Sequence, residues 1–253
     1  MTPVFRDAGG SVVNVLPGLS ASLAVRFERS VTDHEVVAYV AGIAGLPGLA
    51  KRFIDDLAFG GVRIPLTATA ELFSEVAAIG HDVIELFSYG ERTLRNSGSL
   101  RSPRMASGPR LKSGSPNSGS MPTQFEFDHE SMTLRVGSIA IERVARDVMD
   151  YEVNGMNVVK KWFGYRKLSP STKYSSPLND IVTTRWPKTF TEELLDLLNV
   201  ITQLRALESR QETLLEEVLA GPLVTHADLK SAVLLPFARG VDEPIKSDGE
   251  LEL

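Results

Sequence analysis

Lys160, Lys161, Arg166 and Lys167 are interleaved with Trp162, Phe163 and Tyr165 inside the block Tyr151–Lys167, YEVNGMNVVKKWFGYRK. Flat rings beside long cations suit a nucleic-acid surface. Lys and Arg neutralise phosphates, Arg can fork onto a guanine edge, and aromatic rings stack or wedge. The same residues also describe an ordinary helix with a buried aromatic face and a solvated basic one. Residue types alone leave both readings open.

The elements that must hold this block follow from its own spelling. Tyr151, Glu152 and Val153 end an extended run, and Asn154-Gly155 supplies the chemistry of a tight turn. From Met156 to Phe163 the helical period brings Val158, Val159, Trp162 and Phe163 to one side, leaving the four cations on or near the other. Upstream, Phe125-Glu126-Phe127 and Met132–Val136 alternate around Asp128–Ser131, the pattern of a hairpin. The stretch from Ile139 to Met149 then leads into Tyr151 through a short helix. Residues 123–188 are thus expected to form a small mixed α/β recognition unit.

Charge is distributed in favour of that unit. The chain of 253 residues has a formal net charge of -5, which by itself argues against a polyanionic partner. Yet residues 92–112 carry six basic and no acidic side chains, and residues 151–188 carry seven basic and two acidic ones. Two positive islands inside an acidic frame are how a basic binding face occurs in a protein of acidic pI. Within the first island, Arg101, Arg104, Arg110 and Lys112 punctuate a Ser/Gly/Pro-rich stretch, 96–122, whose composition predicts a disordered linker. Within the second, Lys173 and Arg185 lie in polar segments beside Tyr174 and Trp186, where contacts to phosphates or base edges compete with plain solvation.

Around these parts the periodicity is helical. Asp33 is placed to cap a helix with Val36, Val37, Val40 and Ile43 on its stripe; Pro47 opens a second, and Thr69 a longer third running through Phe87. Thr189–Glu192 has capping-box spacing before a stripe of Leu194, Leu197, Leu198, Ile201 and Leu204. Ser209–Glu212 is read as the start of another helix that Gly221-Pro222 closes. The expected architecture is therefore α+β. It has a mainly helical support over residues 1–95, the linker 96–122, the α/β unit 123–188, a helical hairpin brace over 189–225 and a charged C-terminal tail over 226–253.

The central block, followed by Ser176–Ile181 (SPLNDI) and Thr191–Val200 (TEELLDLLNV), resembles the C-terminal target-recognition region of type ISP restriction-modification enzymes. Weaker matches extend upstream through Tyr39-Val40, Arg52-Phe53, Val62–Leu66, Leu72-Phe73, Ile79-Gly80 and Tyr89–Glu91, so the resemblance covers most of the chain. In that family this region follows an adenine-specific DNA methyltransferase domain, and the complete enzyme methylates, translocates with ATP and cleaves. The resemblance implies duplex DNA as partner, with a methyltransferase/helicase subunit or domain beside it. It also implies DNA-binding roles for Lys160, Lys161, Trp162, Tyr165, Arg166, Lys167, Lys173, Arg185, Arg104 and Arg110, with Arg166 the candidate for a base edge.

Catalytic roles do not carry over. The sequence has no Pro-Pro dipeptide for an Asn/Asp-Pro-Pro-aromatic motif, no phosphate-binding G-x-x-x-x-G-K-[ST] loop and no carboxylate–lysine set of a nuclease. S-adenosylmethionine and ATP with magnesium are expected for the complete family enzyme, and no cofactor or metal for this chain. It reads as a recognition segment separated from its motor and catalytic parts, as a split subunit, fragment or remnant. A protein-interaction scaffold docking through acidic helices is the competing class, and an independent enzyme the third. The sequence contains no cysteine, no apolar run of membrane-spanning length and no signal-peptide pattern, so a cytoplasmic location is expected.

Overall fold

The computed structural model describes residues 5, 12–55, 63–88, 104–153, 155–167, 184–225 and 227–229. The chain divides into two compact units, residues 1–80 with 213–253, and residues 81–212. Two long helices, Ala70–Phe87 and Lys188–Ala220, contribute residues to both.

In the first unit, α1 (Leu19–Phe27), α2 (Asp33–Ala44), α3 (Pro47–Arg52) and the start of α4 (Ala70–Phe87) supply the core. The cap of α2 is Thr32 rather than Asp33. Its hydroxyl accepts from the Glu35 amide and the Glu35 carboxylate accepts from the Thr32 amide, a complete capping box. That places Val36, Tyr39 and Ile43 inward with Ala38 and Gly42, and turns Val40 outward. Tyr39 stacks on Phe73, 4.9 Å between centroids. Its hydroxyl donates to the Pro65 carbonyl at 2.8 Å and accepts from the buried Thr67 amide at 3.0 Å.

Glycine makes the approach of α2 to α4 possible. A Cβ on Gly80 would lie 1.7 Å from the Ala38 carbonyl oxygen, and one on Gly42 would lie 2.5 Å from that of Val76. The two backbones therefore touch where side chains would ordinarily separate them.

In the second unit, a four-stranded antiparallel sheet has the order β1 (Arg110–Leu111), β5 (Ile139–Glu142), β4 (Thr133–Val136) and β3 (Phe125–Asp128). The expected hairpin is β3–β4, with Phe127 opposite Leu134. Asp128 organises its turn by accepting from the Glu130 and Ser131 amides and the Ser131 hydroxyl. Those bonds stabilise the ionised carboxylate and hold its pKa below the usual value. Two further antiparallel pairs join β2 (Gly119–Ser120) to β8 (Arg185–Trp186) and β6 (Glu152–Val153) to β7 (Met156–Asn157). With α5 (Arg146–Met149) and α6 (Val158–Gly164), the sheet buries Leu134, Ile141, Val159 and Phe163 against Leu194, Leu198 and Ile201 of α7 (Lys188–Ala220). The fold is α+β.

Two sequence expectations give way here. The hairpin brace over 189–225 is a single helix of 33 residues. No Gly or Pro stands between Lys188 and Gly221, a serine inside a helix costs only a fraction of 1 kcal/mol, roughly 0.5, and Leu204, Gln211, Leu215 and Val218 continue one buried stripe past Ser209. The expected disorder of 96–122 fails over residues 104–122, which contain β1 and β2; residues 96–103 lie outside the described ones. Partners distant in sequence supply what local composition lacks. Ala140 exchanges hydrogen bonds with this stretch, its carbonyl accepting from the Lys112 amide and its amide donating to the Ser115 hydroxyl, both at 2.8 Å. The expected tail, 226–253, is described only at residues 227–229.

Candidate nucleic-acid interface

The block begins as a tight hairpin. Gly155 takes φ 72, a left-handed conformation suited to glycine, and nothing lies within 4 Å of where a Cβ would be. Asn157 then serves two elements at once: its Oδ1 accepts from the Lys160 amide at 2.8 Å, capping α6, while its Nδ2 donates to the Met149 carbonyl at 2.6 Å. The helix is thereby fixed to the end of α5, with Val159 and Phe163 buried and Lys160, Lys161, Tyr165 and Lys167 exposed. As expected from the period, Val159 and Phe163 face in and Lys160 and Lys161 face out; Arg166 departs from it and folds over Trp162.

Beneath α6 lies a cluster of rings. Trp162 meets Trp186 edge-on at 6.1 Å and Phe190 at 6.5 Å, and Trp186 meets Phe190 at 5.3 Å. Trp186 is fully buried, and its Nε1 donates to the Thr191 hydroxyl, which donates in turn to the Asn117 carbonyl. Arg166 lies on top of this cluster, its guanidinium carbon 4.1 Å from the Trp162 ring centroid and 5.3 Å from that of Phe190. Its Nη2 pairs with Glu193 Oε2 at 2.8 Å and its Nη1 donates to the Trp162 carbonyl at 3.3 Å. The candidate base reader is therefore engaged by groups of the chain itself.

The other candidates divide in the same way. Arg104 pairs with Asp196 at 2.5 Å and donates to the Glu192 carbonyl, so it meets α7 one helical step from Arg166. Arg110 pairs with Glu142 across β1 and β5. Arg185 is exposed on β8 beside buried Trp186. Lys161 stands 5.1 Å from the centroid of Tyr165, itself 75% exposed. Among the described residues no carboxylate forms an ion pair with Lys160, Lys161 or Lys167. Lys173 lies outside the described residues. Sequence reasoning missed Glu193 and Asp196, whose i, i+3 spacing on α7 was the available signal, since it sets both carboxylates on one face.

The sequence profile described as the Type ISP C-terminal specificity domain matches residues 3–197. The chain belongs to that family. The Type ISP profile spans the N-terminal helices of the first unit and the whole cation-bearing block. No curated protein matches the chain. Among solved structures, a nuclease-deletion mutant of the Type ISP enzyme LlaGI in complex with a DNA substrate mimic is 14% identical over 72% of this chain, with a TM-score of 0.42. LlaBIII, an ATP-dependent Type ISP enzyme bound to DNA, is 15% identical over 74%, also with a TM-score of 0.42. The chain corresponds to 14% and 11% of the length of those two proteins.

Among the described residues no cluster of His, Asp or Glu is arranged to hold a metal ion, and no helix is long and apolar enough to cross a membrane. The arrangement on α6 is suited to holding an extended anion.

Proposed function

We propose that this specificity-family chain is the DNA target-recognition module of a type ISP-like restriction-modification or adenine DNA methyltransferase system. It binds duplex DNA and leaves methyl transfer, translocation and cleavage to other domains or subunits, with their S-adenosylmethionine and ATP. The observation that carries the reading is the outer face of α6. There Lys160 and Lys161 are exposed on a helix whose inner face is anchored by Phe163 and Trp162, and Lys167 is exposed in the turn after it, so the cations are presented from a rigid support. Cations held this way bind phosphates without needing a pocket.

A labelled duplex titrated with the chain across a salt series tests it. Four cations meeting phosphates give a log-log slope of roughly -3 to -4, at about -0.9 per phosphate. Binding that is absent, or indifferent to salt, would move the assignment to a protein-interaction scaffold. No methyl group from labelled S-adenosylmethionine is expected on DNA incubated with the chain alone, and incorporation above a heat-killed control would make it an enzyme.

A further inference from the structure

We propose that Glu193 and Asp196 stand in for DNA phosphates, holding Arg166 and Arg104 until a duplex displaces them. The inference rests on the DNA-recognition reading above. Two arginines from separate segments, one after α6 and one before β1, converge on carboxylates three residues apart on α7. At 2.8 Å the Arg166–Glu193 contact has the length of a charge-assisted hydrogen bond, and the Arg104–Asp196 contact, at 2.5 Å, is closer still. To a guanidinium, a carboxylate and a phosphate offer the same thing, adjacent anionic oxygens that accept in the plane of the fork.

Both pairs are open to exchange. The side chains of Arg166 and Glu193 are 27% and 47% exposed and those of Arg104 and Asp196 41% and 30%, so a phosphate can replace the carboxylate without leaving a fully buried charge, unlike in an interior ion pair. Arg166 is also incompletely satisfied, because its Nε is buried without a partner. Lys160, Lys161 and Lys167 project from the same helix and the turn after it, where they meet the duplex first. The carboxylates then set a threshold: the lysines contact any DNA, and the arginines join only where a phosphate comes close enough to displace Glu193 or Asp196.

A double-mutant cycle on the whole chain tests this, using two duplexes of equal length, one of A·T pairs only and one containing G·C pairs. E193Q should tighten binding to both by about three- to fivefold, the scale of a surface ion pair, and the gain should vanish in the R166Q background. D196N should behave likewise against R104Q. Equal gains in both backgrounds would mean that the carboxylates merely repel DNA, which overturns the exchange while leaving the DNA-recognition reading intact. A gain confined to the G·C-containing duplex would assign Arg166 to a base edge and overturn it too. Failure of the unmodified chain and every variant to bind overturns the reading itself and the exchange with it. Should R166Q unfold, as a melting curve would show, the Arg104–Asp196 cycle decides, since that pair is not seated on the aromatic cluster.

Discussion

The guanidinium of Arg166 lies over the Trp162 ring, 4.1 Å from its centroid, so the indole is both a member of the core cluster and the platform for a cation. Trp162→Ala removes both functions. Loss of a half-buried indole packed on Trp186 and Phe190 should cost about 2–3 kcal/mol, below the range for a fully buried tryptophan. DNA affinity should fall with it. A melting curve and a duplex titration on the same preparation check this, and weakened binding with an unshifted melt would show that Trp162 acts on DNA directly rather than through packing.

Lys160 and Lys161 should behave differently. Both are exposed and neither is paired with a carboxylate among the described residues, so replacing both by Ala should leave the melting temperature nearly unchanged. The log-log salt slope should flatten by about two units, because each phosphate contact contributes about -0.9. All duplex sequences should weaken alike. Equal binding by the double mutant and the unmodified chain would remove α6 from the interface.

Asn199 explains why part of the fold could not be read from sequence. It is fully buried on α7, where its Oδ1 accepts from the Met105 amide at 3.0 Å and its Nδ2 donates to the Pro109 carbonyl at 2.8 Å and the Leu195 carbonyl at 2.9 Å. A Ser/Gly/Pro-rich stretch thus receives its order from a residue some ninety positions away, and no local window contains that information. The β3–β4 hairpin and the two faces of α6 were legible because alternation and helical period are local signals. The engagement of Arg166 and Arg104 by Glu193 and Asp196 was not, since one-dimensional charge counts show excess and not pairing. Asn199→Ala leaves the part-buried Met105 amide and the buried Pro109 carbonyl without this partner and should cost about 2 kcal/mol. Amides of residues 105–112 should exchange faster in deuterium oxide, and unchanged protection there would show that the segment is held by its strand pairings alone.

Gly80 sets the separation of α2 from α4. Because a Cβ there would meet the Ala38 carbonyl oxygen at 1.7 Å, Gly80→Ala must push two backbones apart, and a backbone cannot yield as a flexible side chain can. The gain in helix propensity, about 1 kcal/mol, is outweighed by overpacking of about 3 kcal/mol or more. Denaturant unfolding should show a net loss of about 2 kcal/mol. A stabilised variant would mean that the helices separate without cost.

Tyr39 makes the stability of the first unit sensitive to alkali. Burial raises the pKa of its phenol to about 12 from the ordinary 10, outweighing the hydrogen bond from the Thr67 amide that acts in the opposite direction. Below pH 10 the phenol is protonated in both the folded and unfolded chain, so its contribution is fully present. Between pH 10 and 12 the unfolded chain ionises while the folded chain does not, and stability falls by up to about 1.4 kcal/mol per pH unit from this group. Tyr39→Phe should abolish that part of the alkaline decline. At neutral pH it should cost about 1–3 kcal/mol, since the Thr67 amide, fully buried, loses its acceptor. Urea unfolding at pH 8, 10 and 11 for both proteins separates the two effects. The curves should converge as pH rises, and parallel curves would place the alkaline sensitivity on another tyrosine, of which Tyr151 is the first candidate because burial raises its pKa as well.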